Sequence, residues 1–593
     1  MSSFFYKTIQ VWCYFLSLLD RLVGLFDLLK YFMKKRINDF SKKITKEPNL
    51  PAAHAMLYAT GMKESDFCKA QIGIVSNWYE GNPCNMHLDQ LAKKIKSSVI
   101  TKNLVGFQFT TIGVSDGITM GTSGMRYSLP SRELIADSIE TVVDSHHYDG
   151  VIAIPGCDKN IPGVMIALLR LNRPSIIVYG GSISSGYYNG KKLDVVSSFE
   201  ALGKKNTCKI TENEYKNIIK HSCPGPGACG GMYTANTMAS ALEVMGMMLP
   251  YSSSSPSTSE NKKMECKEVS IYIKNLLKKK IKPKDIVTKT SIKNGVKLAM
   301  CLGGSTNLVL HFLAIAKSAN IDFSLKDFQK ISNKVPLIGN LKPSGVFLME
   351  DIHMYIGGMP VIIKYLLNEG ILSGDCLTVT GKTLSENMKN IPNITFNQKI
   401  IHSLDNPIKK NGHIRILYGN LSPEGAIAKI TGKEGTIFRG KANVFNSEEE
   451  ANQAILNNKI LPGVVIVIRY VGPIGGPGMP EMLKPTSYIM GSGLGKKVAL
   501  ITDGRFSGGS HGFVVGHISP EAQSGGLIAL VKNDDFIKID TENNTITLEV
   551  ENEEIQKRRK SWIPPLLKIQ KGYLYKYTKM VSPASEGCIT DQF

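Results

Sequence analysis

No CxxC pair occurs anywhere in the chain, and its eleven cysteines are spread at irregular intervals. Neither a zinc-knuckle pattern nor the density of a small disulfide scaffold is present, so a reducing compartment with mostly buried thiols is expected. Phosphate-binding signatures are missing too. The two glycine-rich loops, Gly472 to Leu483 (GPIGGPGMPEML) and Gly504 to Gly512 (GRFSGGSHG), fit neither GxxxxGK[ST] nor a strand-GxGxxG-helix unit. Ser507 lacks the GxSxG elbow, which argues against a serine hydrolase. No basic stretch is interleaved with aromatics, so the formal net charge of +21 reads as lysine spread along the chain and not as a nucleic-acid surface. No secretory cleavage site is recognisable. The apolar first 32 residues are interrupted by Asp20, Arg21 and Asp27, which speaks against stable membrane insertion. They read as a dispensable extension ahead of Met33, with organelle targeting left open.

What is present is a chain of 593 residues, 42% hydrophobic and 20% charged, enough for two to four domains with a large core. From Ala52, short apolar runs alternate with helical patterns: Ile72 to Val75, Val151 to Ile154 and Ser175 to Gly181 are the buried strands of a largely parallel α/β sheet. Near Leu372 the texture changes. Strand-like pieces (CLTVTGKTL), Val464 to Tyr470, Lys497 to Thr502 and the hairpin pattern IKIDTENNTITLEV suggest a β-rich second domain, with a boundary near residue 370.

The densest signal is Tyr148 to Gly163, YDGVIAIPGCDKNIPG, where Cys157, Asp158 and Lys159 leave one strand tip. Carboxyl ends of strands in open α/β sheets are where ligands are held, and Gly156 permits close backbone approach. The plain alternative is a partly buried cysteine beside a surface Asp-Lys pair. Elsewhere, Cys84 precedes a helix beginning near His87, whose dipole would lower its pKa and suit it to metal; a structural thiol is the competing reading. Asp116 stands where a strand gives way to a Gly-rich turn, a place also natural for an Asx turn. Cys229 lies at the mouth of a helix rich in small residues, and Glu481 and Ser507 lie in the two Gly-rich loops. His87, His511 and His517 sit near these motifs, with core or hydrogen-bonding roles expected of them.

In order, the loops CNMHL, SDGI, CDKNIPG, GACGGMYTANTM, GGPGMPEML and TDGRFSGGSHG closely resemble those of the dihydroxy-acid dehydratases. The likeness runs from about residue 34 to the C-terminus. It implies an iron-sulfur cluster on Cys84, Cys157 and Cys229, of the 2Fe-2S type with 4Fe-4S as the alternative. It also implies Mg²⁺ between Asp116, Asp158, Glu481 and Lys159, the lysine carrying a carbamate so that it offers oxygen to a hard cation. Ser507 matches the family's proton-abstracting residue. The implied fold is an N-terminal α/β sandwich over residues 33–370 and a C-terminal β-barrel-like domain of the aconitase swivelling type over 371–593. A cytoplasmic homodimer dehydrating small 2,3-dihydroxy acids in valine and isoleucine biosynthesis is expected. Two rivals remain: a sugar-acid dehydratase acting on phosphogluconate or an aldonate, and a non-catalytic scaffold.

Overall fold

The computed structural model describes residues 36–206, 208–430, 435–510 and 512–591; the extension 1–32 and His511 lie outside them. Strands β1 (Gln71–Ser76), β2 (Val105–Thr110), β3 (Gly150–Ile154) and β4 (Ser175–Ile177) pair in parallel in the order β2-β1-β3-β4. β1 and β3 are buried along their whole length, which is why both read as unbroken apolar runs. β4 ends sooner than its apolar run suggests, although Val178 and Gly180 still donate backbone hydrogen bonds to Ala153 and Pro155 at 2.8 and 2.9 Å. Helices Leu88–Thr101, Ser128–Ser145 and Asn160–Leu171 connect the strands in turn.

This order fixes where a ligand can sit. The chain leaves β1 toward β2 on one side, then returns across β1 to place β3 on the other. Loops leaving β1 and β3 therefore part at a topological switch point, the crevice in which open α/β sheets bind ligands. Cys84 is on the first of these loops and Cys157 on the second. Below them runs the helix Thr234–Val244, buried at every residue, as its small side chains require for close packing on all sides.

A short antiparallel hairpin, β5 (Gly186–Tyr188) and β6 (Lys191–Leu193), precedes the helical remainder of this half. The stretch CLTVTGKTL, read as strand-like, forms no strand. It is a turn with one isolated bridge, Leu377 to Thr383, because Gly381 takes a φ of +75° and the Thr383 hydroxyl caps the helix Leu384–Met388.

The C-terminal region closes into an eight-stranded barrel. Its members are β7 (Ile414–Gly419), β8 (Ser422–Lys429), β9 (Ile437–Phe445), β10 (Val464–Ile468), β12 (Ala499–Thr502), β14 (Phe513–Ser519), β15 (Phe536–Asp540) and β16 (Thr545–Glu549). The order round the barrel is β10-β12-β14-β8-β7-β16-β15-β9, and the IKIDTENNTITLEV pattern is the β15-β16 hairpin. Two-residue strands β11 (Glu481–Met482) and β13 (Arg505–Phe506) pair beside it. Alternation along β7 and β8 joins the two halves. Leu417, Ala426 and Ala428 fill the barrel, while Ile414, Ile416 and Ile427 belong to the large core of the α/β half. Among the described residues no helix is long and apolar enough to cross a membrane.

Candidate active site

The turn after β3 brings two cysteine loops into contact. A Cβ on Gly156 would lie 2.3 Å from the Cys84 carbonyl oxygen and 2.5 Å from Asn85 Oδ1, so only glycine allows this approach. Each cysteine is held by an asparagine. The Cys157 amide donates to Asn160 Oδ1 at 2.8 Å and the Cys84 amide to Asn82 Oδ1 at 3.0 Å. Asn236, on the buried helix, donates to the Cys229 carbonyl and, at 2.7 Å, to that of Gly231, and accepts the Tyr179 hydroxyl at 2.8 Å. All three thiols line one cavity of about 230 Å³.

Cys84 departs from the sequence expectation of a lowered pKa. Its hydrogen bond with Cys157, then burial, then the neighbouring Cys157 and Cys229 push it well above the ordinary thiol value. The helix dipole loses because Leu88–Thr101 begins beyond the cysteine, with His87 at its N-cap. Burial, followed by Asp158 and Cys157, raises Cys229 in the same way.

Asp158 and Lys159 are not a surface pair: Lys159 is fully buried and Asp158 is 7% exposed. The Lys159 ammonium lies 2.7 Å from Asp116 Oδ2, 3.3 Å from Glu481 Oε2 and 3.5 Å from Asp158 Oδ2. One oxygen from each of these carboxylates falls within 4.8 Å of the others, a spacing that could hold a metal ion. Burial and Arg505 work to depress the lysine, but the three carboxylates outweigh them and its pKa is raised. Burial lifts Asp158 to about 7 against the pull of Lys159. Burial would also raise Glu481, but Lys159 and Arg505 prevail and hold it below its usual value.

Three further residues complete this cluster, and sequence reading did not single them out. Arg505 Nη1 donates to Glu481 Oε2 at 2.5 Å, Asn307 Nδ2 to the same oxygen at 2.8 Å, and the Ser128 hydroxyl to Asp116 Oδ1 at 2.8 Å. Arg505 stands two residues before Ser507 in the same Gly-rich loop, the signal that points to it, and Asn307 opens the helix Asn307–Ser318 just after Gly303 and Gly304. Ser128, first residue of an ordinary helix, carried none.

Ser507 follows β13 and faces the same cavity, its amide donating to the Met482 carbonyl at 2.9 Å. Its Oγ accepts the Gly509 amide at 3.3 Å. The thiols, Asp116, Asp158, Glu481 and Ser507 thus meet in one space, whose other lining is largely apolar, with Ile118, Ile183, Val195, Val196, Phe199 and Leu483 beside Ser115, Tyr233 and Thr234.

Fold and site together define a two-part α/β and barrel enzyme scaffold with its polar groups gathered between the halves. Residues 69–387 match the N-terminal model, and residues 399–588 the C-terminal model, of the dihydroxy-acid/6-phosphogluconate dehydratases. The chain belongs to this family and is an enzyme of the hydro-lyase class. It is 59% identical to a dihydroxy-acid dehydratase of Flavobacterium psychrophilum over 94% of this chain and 99% of the relative. A dihydroxy-acid dehydratase of Francisella tularensis subsp. novicida is 58% identical over 94% and 100%, and one of Lactococcus lactis subsp. lactis is 57% identical over 94% and 98%.

Proposed function

We propose that this chain dehydrates 2,3-dihydroxy-3-methylbutanoate and 2,3-dihydroxy-3-methylpentanoate to their 2-oxo acids, in valine and isoleucine biosynthesis. The observation that carries this reading is the cavity's lining, in which the cysteines, carboxylates and Ser507 share one space with Val195, Val196, Phe199 and Leu483. A branched alkyl group loses nothing against such a wall. The polyhydroxy chain of phosphogluconate or an aldonate would bring hydroxyls there with no partners, a cost of about 1 to 3 kcal/mol for each. Turnover of 2,3-dihydroxyisovalerate far above that of phosphogluconate and xylonate is expected; the reverse preference would assign the sugar-acid reaction instead.

The donor sets suit two inorganic groups of unlike character. Cys84, Cys157 and Cys229 are soft donors on one wall and would hold a 2Fe-2S cluster, with 4Fe-4S the alternative. Asp116, Asp158 and Glu481, with Lys159 as its carbamate, are hard oxygen donors and would hold Mg²⁺. When bound, the two supply Lewis acidity toward the substrate's hydroxyl and carboxylate oxygens. In this reading residues 33–370 form an α/β sandwich carrying the cysteines, Asp116, Asp158 and Lys159. Residues 371–593, a barrel of the aconitase swivelling type, contribute Glu481 and Ser507. The working form is a cytoplasmic homodimer.

Ser507, as its alkoxide, takes the proton from C2. The C2–H electron pair forms the C2=C3 double bond as the C3–O bond breaks, and the departing hydroxide recovers the proton from Ser507 to leave as water. The enol then becomes the 2-oxo acid by giving up its hydroxyl proton and gaining one at C3. An isolated serine is too weak a base for this, and the Gly509 amide against Oγ is one donor that favours the anion. Ser507→Ala should lose at least ~10³-fold in turnover while keeping its iron, sulfide and Mg²⁺. Near-normal turnover with those contents intact would remove Ser507 from the role.

A further inference from the structure

A second, small chamber of about 10 Å³ is lined among others by Ser507, Ser510, Thr306, Lys429 and His517. Ser507 lines both spaces. His517 is only 3% exposed, and neither of its ring nitrogens has a hydrogen-bond partner. Two orphaned polar atoms in a core cost free energy and call for a partner.

The backbone at His517 is unusual as well. It has a φ of +57°, a left-handed conformation that disfavours a branched or bulky side chain, and it lies in a bulge of β14. Gly516 faces Ile427 and Ser519 faces Gly425, so one extra residue is inserted between them. Bulges re-aim side chains, and strain of this kind persists where the surroundings impose it. Here the re-aimed ring lines the chamber. Burial, then Arg505, pushes its pKa down to about 3, so the imidazole is neutral and offers one N–H donor and one acceptor.

We propose that the chamber holds one water molecule, bonded to the ring of His517, and that this pair positions Ser507 by donating a second hydrogen bond to its Oγ. The size is that of a single water, and Thr306, Ser507, Ser510 and His517 offer it polar partners beside Ile427, Phe506 and Val514. With the Gly509 amide already donating to Oγ, the added donor stabilises the serine anion and lowers the pH at which Ser507 works as a base. His517 is thus a positioning residue that touches no substrate. The charged and titratable groups around Ser507 and His517 include Lys429 on β8, whose ammonium donates to the Gly508 carbonyl at 3.3 Å, Arg505 and Glu481 on β13 and β11, Asp116 and Asp158 across the cavity with Lys159 between these carboxylates, and His311. None is altered by changing His517.

This inference rests on Ser507 as the base, so Ser507→Ala is assayed beside it. His517→Gly removes the ring at a position whose φ glycine adopts freely, and His517→Asn keeps a donor and an acceptor on a residue that tolerates that φ. In the holoenzyme, His517→Gly should lose about tenfold in kcat with little change in KM, and its rising pH limb should move about one unit to higher pH. His517→Asn should recover part of both effects. A crystal structure of the wild-type protein should show a water within hydrogen-bond distance of both His517 and Ser507. A dry chamber, or a pH limb that stays in place in His517→Gly, would overturn the proposal, and should the glycine variant not fold, His517→Ala, which offers neither donor nor acceptor, carries the same pH test. An active Ser507→Ala would instead overturn the base assignment itself; an inactive one beside a wild-type-like His517→Gly would remove only the water.

Discussion

A lysine enclosed by Asp116, Asp158 and Glu481 poses a charge problem with two solutions. As an ammonium, Lys159 offsets the carboxylates directly, as its 2.7 Å contact with Asp116 shows. Replacing that ammonium by a carbamate together with a divalent cation leaves the net charge of the cluster unchanged, so the same three carboxylates serve both states. In the proposed reading the cluster would therefore carry the same net charge before and after loading, with Arg505 on Glu481 offsetting part of what remains. The expected consequence is a dependence on CO₂. Enzyme stripped of CO₂ should lose activity and regain it with bicarbonate and Mg²⁺, and ¹³C-bicarbonate should give a carbamate signal. Lys159→Arg keeps the positive charge but cannot be carbamylated; a loss of at least ~100-fold, unresponsive to bicarbonate, is expected. Full activity in that variant, or a free amine in active metal-loaded wild type, would refute the carbamate.

Glu481 depends on the loop that carries it, and that loop is pinned by two buried carboxylates. Asp503 accepts the amides of Tyr470 and Val471, both at 3.1 Å, and of Ala522 at 2.9 Å. Glu521 accepts those of Ile474 and Gly475 at 2.9 and 2.8 Å. Burial, followed by the charge of Asp503, pushes Glu521 from 4.5 up to about 8. The sign follows from linkage. Between those two values the folded protein keeps a proton that the unfolded chain has released, so stability falls as pH rises through this window and levels off above it. Glu521→Gln cannot ionise, and its urea stability should fall less steeply from pH 5 to 8, by on the order of 1 kcal/mol per pH unit. Parallel slopes for variant and wild type would refute the shift. None of this pinning is legible in sequence, because Asp503 and Glu521 meet the loop only through the fold. Strand tips were legible: the apolar runs at β1 and β3 end in turns whose residues line the site, and the β15-β16 hairpin follows its alternation. The pairings between separate loops and helices were not, since neither the Gly-rich loop around Arg505 nor the ordinary helix opened by Ser128 says which carboxylate each one meets. Cys84 was misjudged for the same reason, since local spacing suggests a dipole and says nothing of the thiol folded against it.

At the scale of the whole molecule, the site spans two halves that must not drift. Its cross-ties include the C-terminal segment, which returns from the barrel to the α/β half. Arg132, fully buried on the helix Ser128–Ser145, donates to the carbonyls of Gly587 and Cys588 at 2.8 and 2.7 Å and pairs with Glu133 at 2.6 Å. Arg170 adds an ion pair to Asp591 at 2.8 Å. From the same segment, the Cys588 sulfur lies 3.8 Å from that of Met479, whose carbonyl accepts Arg505 Nε at 2.8 Å; Arg505 in turn holds Glu481. Arg132 also sits on the helix whose first residue binds Asp116, so one guanidinium links the supports of two carboxylates from opposite halves. Arg132→Met would leave two buried carbonyls without their donor and Glu133 with Arg170, at 3.6 Å, as its remaining cation, and a loss of about 3 kcal/mol in urea unfolding is expected. Because Ile414, Ile416 and Ile427 of the barrel are part of the α/β core, the weakened protein should still unfold in one transition. Weaker Mg²⁺ binding at temperatures where the variant remains folded should accompany the loss, as Glu481 gains freedom relative to Asp116. Two separate unfolding transitions, or unchanged Mg²⁺ affinity, would show that the tail holds the halves together without setting the geometry between them.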